Sequence, residues 1–506
     1  MTPLTRRTFT GGLAAGLWNG QAAARRPNLV FVCSDQHSGR ALRANGHPVV
    51  RTPNLDRLAS MGVHFRNTYS GNPVCVPGRA SMMSGRYASD VDSYCNSTPL
   101  GSVPTWGNHL RDGGYRCWAT GKMDLTEGVD YGFEETGTSH GHCHKPDITS
   151  LFRSPVCFRE GERENVDGEF EDRGLDSDGK LAKRAIEFIR GEVAKAGKPW
   201  AVYVGMHMPH PKWVAQKKYQ DIYPPAKMPM PVIPPGYLES RHTMFQVLAN
   251  FKNVQVPIPD ERIRRARAAY YGMITEVDEY LGWILDELEK NHQMENTLFI
   301  YTSDHGEMGG EHGLWLKNCL LENAARVPLF MAGAGLPKGK VVDTPVSHVD
   351  MAATILHIAG VPAPREMRGR SLVPLVNGQP GGPGFAFSES HSEGNCTGSF
   401  MIRKGDWKYL YFTGDVPLLF NLKDDPGEFH NLAGKKETAS VQKELHAQLT
   451  SLLDPDAVTE RAFARQERIL QAMVQRLKPE EFYREIKGRL GAAQARVLTN
   501  KHYRKA

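Results

Sequence analysis

Asn28-Leu29-Val30-Phe31-Val32-Cys33 runs straight into Ser34-Asp35-Gln36. A short apolar run with two β-branched residues, entered from Pro27 and left through a polar triplet, predicts a strand buried on both faces. Two later segments repeat the pattern. Ala201-Val-Tyr-Val-Gly205 ends just before His207 and His210, and Thr297-Leu-Phe-Ile-Tyr-Thr302 delivers Ser303-Asp304-His305. Between them, Glu261 to Asn291 has helical spacing, and Thr52-Pro53 before Asn54-Leu-Asp-Arg-Leu-Ala59 reads as a helix start with an early proline. Apolar strands alternating with helices, each strand ending in polar residues, predict an α/β fold. Its sheet is mostly parallel and flanked by helices, with the site along the carboxyl edge. The competing reading is a set of ordinary strand-end turns, where Asp, Ser and His are common.

Beyond Pro362-Ala-Pro364 and the glycine-rich 377–383 segment the composition changes. Phe385 to Phe412 alternates in the manner of antiparallel strands, Asp424-Asp-Pro-Gly turns the chain, and Thr438 to Leu453 reads as a helix. The expected organisation is a signal segment at 1–26, a catalytic domain at 27–383, a smaller antiparallel α+β subdomain at 384–457 and a basic helical tail at 458–506. The tail is expected to pack across the body or onto a neighbouring subunit.

Among the 506 residues Lys and Arg outnumber Asp and Glu by 62 to 56, and a net charge of +6 over this length says little about polyanionic partners. With no recognisable nucleic-acid motif, the basic tail alone does not support that class. Arg6-Arg7-Thr8-Phe9, a mildly apolar stretch and Ala22-Ala23-Ala24 form the parts of a secretory signal of the twin-arginine type. They predict a periplasmic or secreted protein. No later segment has the apolar length of a transmembrane helix. The eight cysteines, at 33, 75, 95, 117, 143, 157, 319 and 396, form neither a disulfide framework nor a metal-ligand repeat. Most are expected to be buried thiols, with one or two bridges left open.

Asp35, Gln36, Asp304 and His305 together would suit a hard cation such as calcium or magnesium, the histidine keeping other divalent metals in play. Spacing alone does not join the two distant pairs. Cys75-Val76-Pro77-Gly78-Arg79-Ala80-Ser81 adds the decisive motif. On these residues the chain resembles the formylglycine-dependent sulfatases of the alkaline phosphatase superfamily, whose signature is Cys or Ser, any residue, Pro, any residue, Arg. Gly121-Lys122, His210, Ser303 to Glu307 and Lys317 follow in family order, and the resemblance spans Pro27 to about His430.

The resemblance implies an alkaline-phosphatase-like sheet and a Cys75 oxidised to formylglycine by a maturation enzyme. It also implies a divalent ion, usually calcium, held by Asp35, Gln36, Asp304 and His305 beside the modified Cys75. Many relatives carry Asp at the Gln36 position, so this ligand set is one charge less negative. Arg79 would stabilise the hydrated aldehyde, Lys122 and Lys317 would clamp sulfate oxygens, and His210 would protonate the leaving oxygen. One departure stands out: Gly121-Lys122-Met123-Asp124 places an aspartate where relatives carry a histidine. This predicts either a perturbed Asp124 or an acidic pH optimum.

The run 121–128 is similar to that of the arylsulfatase K branch, glucuronate-2-sulfatases, which implies a sulfated uronic acid as substrate. The tail resembles those that join subunits in choline sulfatases, keeping homo-oligomers and small sulfate esters in view. His142, His144, His391, Asn395 and Arg403 are weaker substrate-binding expectations, with Arg403 suited to a uronate carboxylate. The alternatives are a phosphonate monoester or phosphodiester hydrolase on the same scaffold, and a noncatalytic glycan-binding protein.

Overall fold

A computed structural model describes residues 26–144, 147–153, 157–195, 197–391 and 393–503. The 28–34 run is a strand whose seven residues are all buried. Its side chains divide between two cores: Val30 and Val32 face one, Leu29, Phe31 and Cys33 the other. This two-residue alternation, apolar on both sides, is why the segment lies at the centre of a covered sheet.

In chain order the large sheet comprises β1 (Asn28–Ser34), β2 (Gly62–Phe65), β3 (Arg116–Lys122), β4 (Glu134–Ser139), β5 (Trp200–Gly205), β6 (Thr297–Ser303), β7 (Leu329–Ala332) and β8 (Lys340–Val342). Their spatial order is β8-β2-β7-β6-β1-β5-β3-β4. The pairings are parallel except for β7, which runs antiparallel to both β6 and β2. Ser34 lies opposite Ser303, Cys33 opposite Gly205, and Gly121 opposite Gly205, so four neighbouring strands end level with one another. The expected helix 261–291 is Asp260–Lys290, on the Val30 face with Ser177–Lys195, while Cys75–Ser84 and Val349–Ile358 cover the other face.

Four antiparallel strands (Ala386–Ser390, Ser399–Lys404, Trp407–Phe412 and Leu418–Asn421) make the small sheet, backed by the helix Ala439–Leu452. The tail forms the helical segments Pro455–Arg476 and Pro479–Tyr503. It lies on its own chain: Leu470, Met473, Phe482, Ile486 and Leu490 pack on Ile148, Leu151 and Phe152. The eight cysteines are all free thiols, so the bridges left open by the sequence do not form. No helix among the described residues is long and apolar enough to cross a membrane. The signal expected at 1–26 lies outside the described residues but for Arg26.

Candidate active site

The level carboxyl ends of β6, β1, β5 and β3 carry Asp304-His305, Asp35-Gln36, His207 to His210 and Lys122 to Asp124 into one region. Two glycines let β3 and β5 close up there. A Cβ on Gly121 would lie 2.1 Å from the Gly205 carbonyl oxygen, and one on Gly205 would lie 1.9 Å from that of Lys122. The motif helix enters from the side, with Cys75 as the first residue of Cys75–Ser84 and Pro77 in the first turn, where its missing N–H costs nothing. The Val76 N–H donates to Asn96 Oδ1 at 3.1 Å. Gly78 is required by close approach, since a Cβ there would stand 2.6 Å from the Asn72 carbonyl oxygen.

Cys75 is fully buried. Its Sγ lies 3.2 Å from His305 Nε2, 3.2 Å from Lys317 Nζ and 3.9 Å from Asp35 Oδ1. Burial first, and then the Asp35 charge, pushes the thiol up to about 12, so an unmodified Cys75 is a poor nucleophile at neutral pH. Arg79 ties the pieces together: its Nε donates to Asp304 Oδ2 at 2.9 Å, and its Nη1 to the Lys122 carbonyl at 2.7 Å and the Tyr203 hydroxyl at 2.8 Å.

Asp35, Cys75, Asp304 and His305 each present a ligand atom, all within 4.8 Å of one another. His305 donates from Nδ1 to the Gly306 carbonyl at 3.1 Å, so its Nε2 lone pair faces Asp35 Oδ1 and Asp304 Oδ1, each at 3.6 Å. Lone pairs aimed at one another are repulsive unless a cation lies between them, and this tautomer is the one a metal ligand needs. Gln36 is turned the same way: its amide nitrogen donates to Glu307, leaving Oε1 toward the site, where Lys317 Nζ reaches it at 2.8 Å. The donor set fits a hard divalent ion.

Lys122 Nζ bonds to Asp35 and lies 3.3 Å from Asp124 Oδ2. Asp124 therefore bears on the site through Lys122. Against burial, Asp124 and Asp35 hold Lys122 well above the ordinary lysine range. Burial likewise opposes, but Lys122, His210 and Lys317 hold Asp35 well below the usual carboxylate range. Burial and then Lys317 push His210 well below its ordinary value; its Nδ1 donates to the Pro211 carbonyl at 2.7 Å. His210 thus enters the free site neutral, without a spare proton. Gln36, Asp124, Leu316 and Asn318 all have positive φ (73°, 49°, 66° and 82°), a concentration of strained non-glycine backbone at one place.

A cavity of about 440 Å³ opens over this cluster. Lys317 and His210 line it, and its charged wall carries five cationic side chains against two carboxylates, Glu162 and Glu393. Arg159, Lys252 and Arg489 belong to that wall; no motif marks them in the sequence. Tyr203 also escaped the sequence reading as a site residue, although it lies two residues before a strand end on the site edge.

The other substrate-binding expectations fare differently. His391 is fully buried against Glu389 Oε2 at 2.9 Å, Arg403 borders a separate cavity with Lys404 and Trp407, and neither reaches Lys317. Asn395 donates to the Asn318 carbonyl at 2.8 Å, supporting the loop that carries Lys317 without lining the cavity. His142 and His144 lie in Gly141–His144, but their side chains lie outside the described residues.

Sheet topology and strand-edge cluster together define an α/β protein of the alkaline-phosphatase-like class. Comparison with known proteins gives the family. Residues 27–361 match the Sulfatase model and residues 310–454 the model of the N-sulphoglucosamine sulphohydrolase C-terminal region. The chain belongs to the sulfatase family and is a sulfuric ester hydrolase. It is 30% identical over 461 residues to arylsulfatase K of Homo sapiens, covering 84% of this chain and 82% of the relative. It is 32% identical over 439 residues to the choline-sulfatase of Rhizobium meliloti, covering 81% and 82%. Among solved structures, the phosphonate monoester hydrolase of Agrobacterium radiobacter superposes with a TM-score of 0.70 at 27% identity, over 84% of this chain and 95% of that one.

Proposed function

We propose that this hydrolase removes 2-O-sulfate from uronic acid residues of glycosaminoglycan-type or related sulfated glycans, using a Cys75-derived formylglycine and a divalent ion, calcium by preference. The observation that carries the reading is the cation-rich cavity lined by Lys317 and His210, with the Lys317 ammonium 3.2 Å from Cys75 Sγ. A sulfated uronate brings two anionic groups and suits such a wall. Choline sulfate brings a quaternary ammonium, which favours aromatic cages, and no aromatic carbon ring lines this cavity among the described residues.

Hydrated formylglycine would supply a hydroxyl nucleophile, and a divalent ion held by Asp35, Gln36, Asp304 and His305 would supply Lewis acidity, as is typical of the family. The chain's own groups supply the rest. Lys122 and Lys317 stay protonated, burial being opposed by Asp124 and Asp35 at the first and by Asp35 at the second, so both present fixed donors where sulfate oxygens gather charge. Arg79 holds Asp304 and the end of β3 in register. His210 gains its proton only when an anionic ester lies beside it, and then delivers that proton to the leaving oxygen. Asp124 keeps Lys122 charged and aimed.

The test is sulfate release from defined disaccharides carrying 2-O-sulfated glucuronate or iduronate, with choline sulfate and an aryl phosphonate in parallel, after co-expression with a formylglycine-generating enzyme. Uronate turnover should dominate, fall at least about 10⁴-fold in Cys75→Ala, and disappear on chelation until calcium is restored. The Cys75 peptide should show the mass of the aldehyde. Dominant turnover of choline sulfate or of the phosphonate would overturn the substrate class.

A further inference from the structure

Three segments far apart in the chain build the cavity wall that faces Lys317. Arg159 follows the 147–153 loop, Lys252 caps the helix Thr243–Phe251, and Arg489 comes from the tail. The tail reaches that position by breaking its own helix. Gly491 adopts φ 75° and ψ 167°, and a Cβ there would stand 1.9 Å from Glu160 Oε2. Glycine is the residue that this bend and contact admit. The Glu160 N–H donates to the Arg489 carbonyl at 3.0 Å, Gln494 exchanges hydrogen bonds with the Phe158 backbone at 3.1 and 2.9 Å, and Arg489 Nη1 meets Asp147 Oδ2 at 2.7 Å.

The wall cations are not equally occupied. Arg159 is matched by Asp147 at 2.8 Å, Glu162 at 3.2 Å and Glu393 at 3.8 Å. Lys252 is only 2% exposed, and its ammonium makes no hydrogen bond or ion pair among the described residues; it stands 5.4 Å from the centre of the Phe251 ring. A buried ammonium without a partner is costly, and a binding cavity is where such a cost is recovered on ligation. Consistent with that, burial draws Lys252 down to about 8 despite Glu162, with Arg159 and Lys317 adding to the fall and Glu393 opposing it.

We infer that Lys252 and Arg489 form a subsite for a second anionic group of the substrate, a carboxylate or a second sulfate, in the cavity that receives the scissile sulfate. The inference rests on the hydrolase reading above for the first anion. The tail then acts in substrate selection within its own chain, as well as in packing.

Calorimetric titration of the full-length, calcium-loaded Cys75→Ala protein tests this without turnover. Three probes are compared: glucose 2-sulfate with one anion, glucuronate 2-sulfate with a carboxylate added, and glucose 2,6-disulfate with a second sulfate. At least one doubly charged probe should bind more tightly than glucose 2-sulfate, and which one does so identifies the second group. Adding Lys252→Gln should reduce that preference about tenfold, the worth of a charge-assisted hydrogen bond. Lys252→Arg should restore much of it. The half-exposed Arg489→Gln provides a second variant with little risk to folding. Equal affinity for all three probes, or a preference unmoved in both variants, overturns the subsite. A wild-type protein that shows the preference but releases no sulfate would sink the hydrolase reading and leave the subsite standing.

Discussion

Beside the small sheet, Lys408 is enclosed by Glu322 at 3.0 Å and Glu428 at 2.7 Å, and all three side chains are buried. At the edge of the large sheet, Lys317 touches Cys75 at 3.2 Å and Gln36 at 2.8 Å, and it also faces a cavity. The two clusters use similar ingredients and lie five residues apart in the chain, at Lys317 and Glu322. The first is closed: its charges meet one another and Arg326, 3.8 Å from Glu322, and Lys408 fastens the small sheet to the segment that follows Lys317. The second is left open on one side, its cations exceeding its anions toward the cavity. Closure marks a fastening, whereas an open surplus marks a place for a ligand.

Breaking the closed cluster should have the largest effect on stability. Lys408→Met strands the buried Glu428 and leaves Glu322 only Arg326 at 3.8 Å, and it should lower unfolding free energy by about 3–5 kcal/mol, read from urea denaturation, while the folded fraction retains its turnover number. An equal loss of turnover per folded molecule would show that the two clusters are not separable. Next comes His210→Ala, in the open cluster. With an alkyl sulfate, whose leaving oxygen needs a proton, kcat should fall about 10²-fold or more; with 4-nitrophenyl sulfate the fall should be far smaller. Equal losses with both leaving groups would remove His210 as the proton donor. The smallest change is expected from Asp124→Asn. Asp124 helps to hold the Lys122 proton, so its removal should move the basic limb of the kcat/KM profile to lower pH by about one unit. An acid limb that vanishes with it would assign that limb to Asp124. A profile superimposable on that of the wild type would exclude both roles.

The open cluster was largely legible in the sequence, because its parts come from places that carry local signals. Asp35, Asp304 and His210 follow buried strands, and Cys75 to Arg79 form a motif whose glycine and proline have local geometric reasons. The cavity wall was not legible. Arg159, Lys252 and Arg489 are ordinary basic residues until packing gathers them, and the one local hint was a glycine inside the helical rhythm of the tail. His391 and Arg403 misled for the converse reason. They lie in the small-sheet region beside motif-like polar residues, yet His391 turns into the core against Glu389 and Arg403 borders another cavity. The short strands 62–65, 329–332 and 340–342 were missed because three or four residues carry too little periodicity to register.

The complete burial of Cys75 sets a deadline during biosynthesis. Once Cys75–Ser84 has docked between the strand ends, no part of the thiol is open to solvent, and a second protein has nothing to grip. Any enzyme that alters this sulfur must meet the segment while it is still extended, soon after it leaves the ribosome. The Arg489 side of the cavity cannot exist until the chain has been made as far as residue 489. On the proposed reading the fate of Cys75 is settled early and the substrate's welcome late, and a chain that folds too quickly would be well formed and chemically inert.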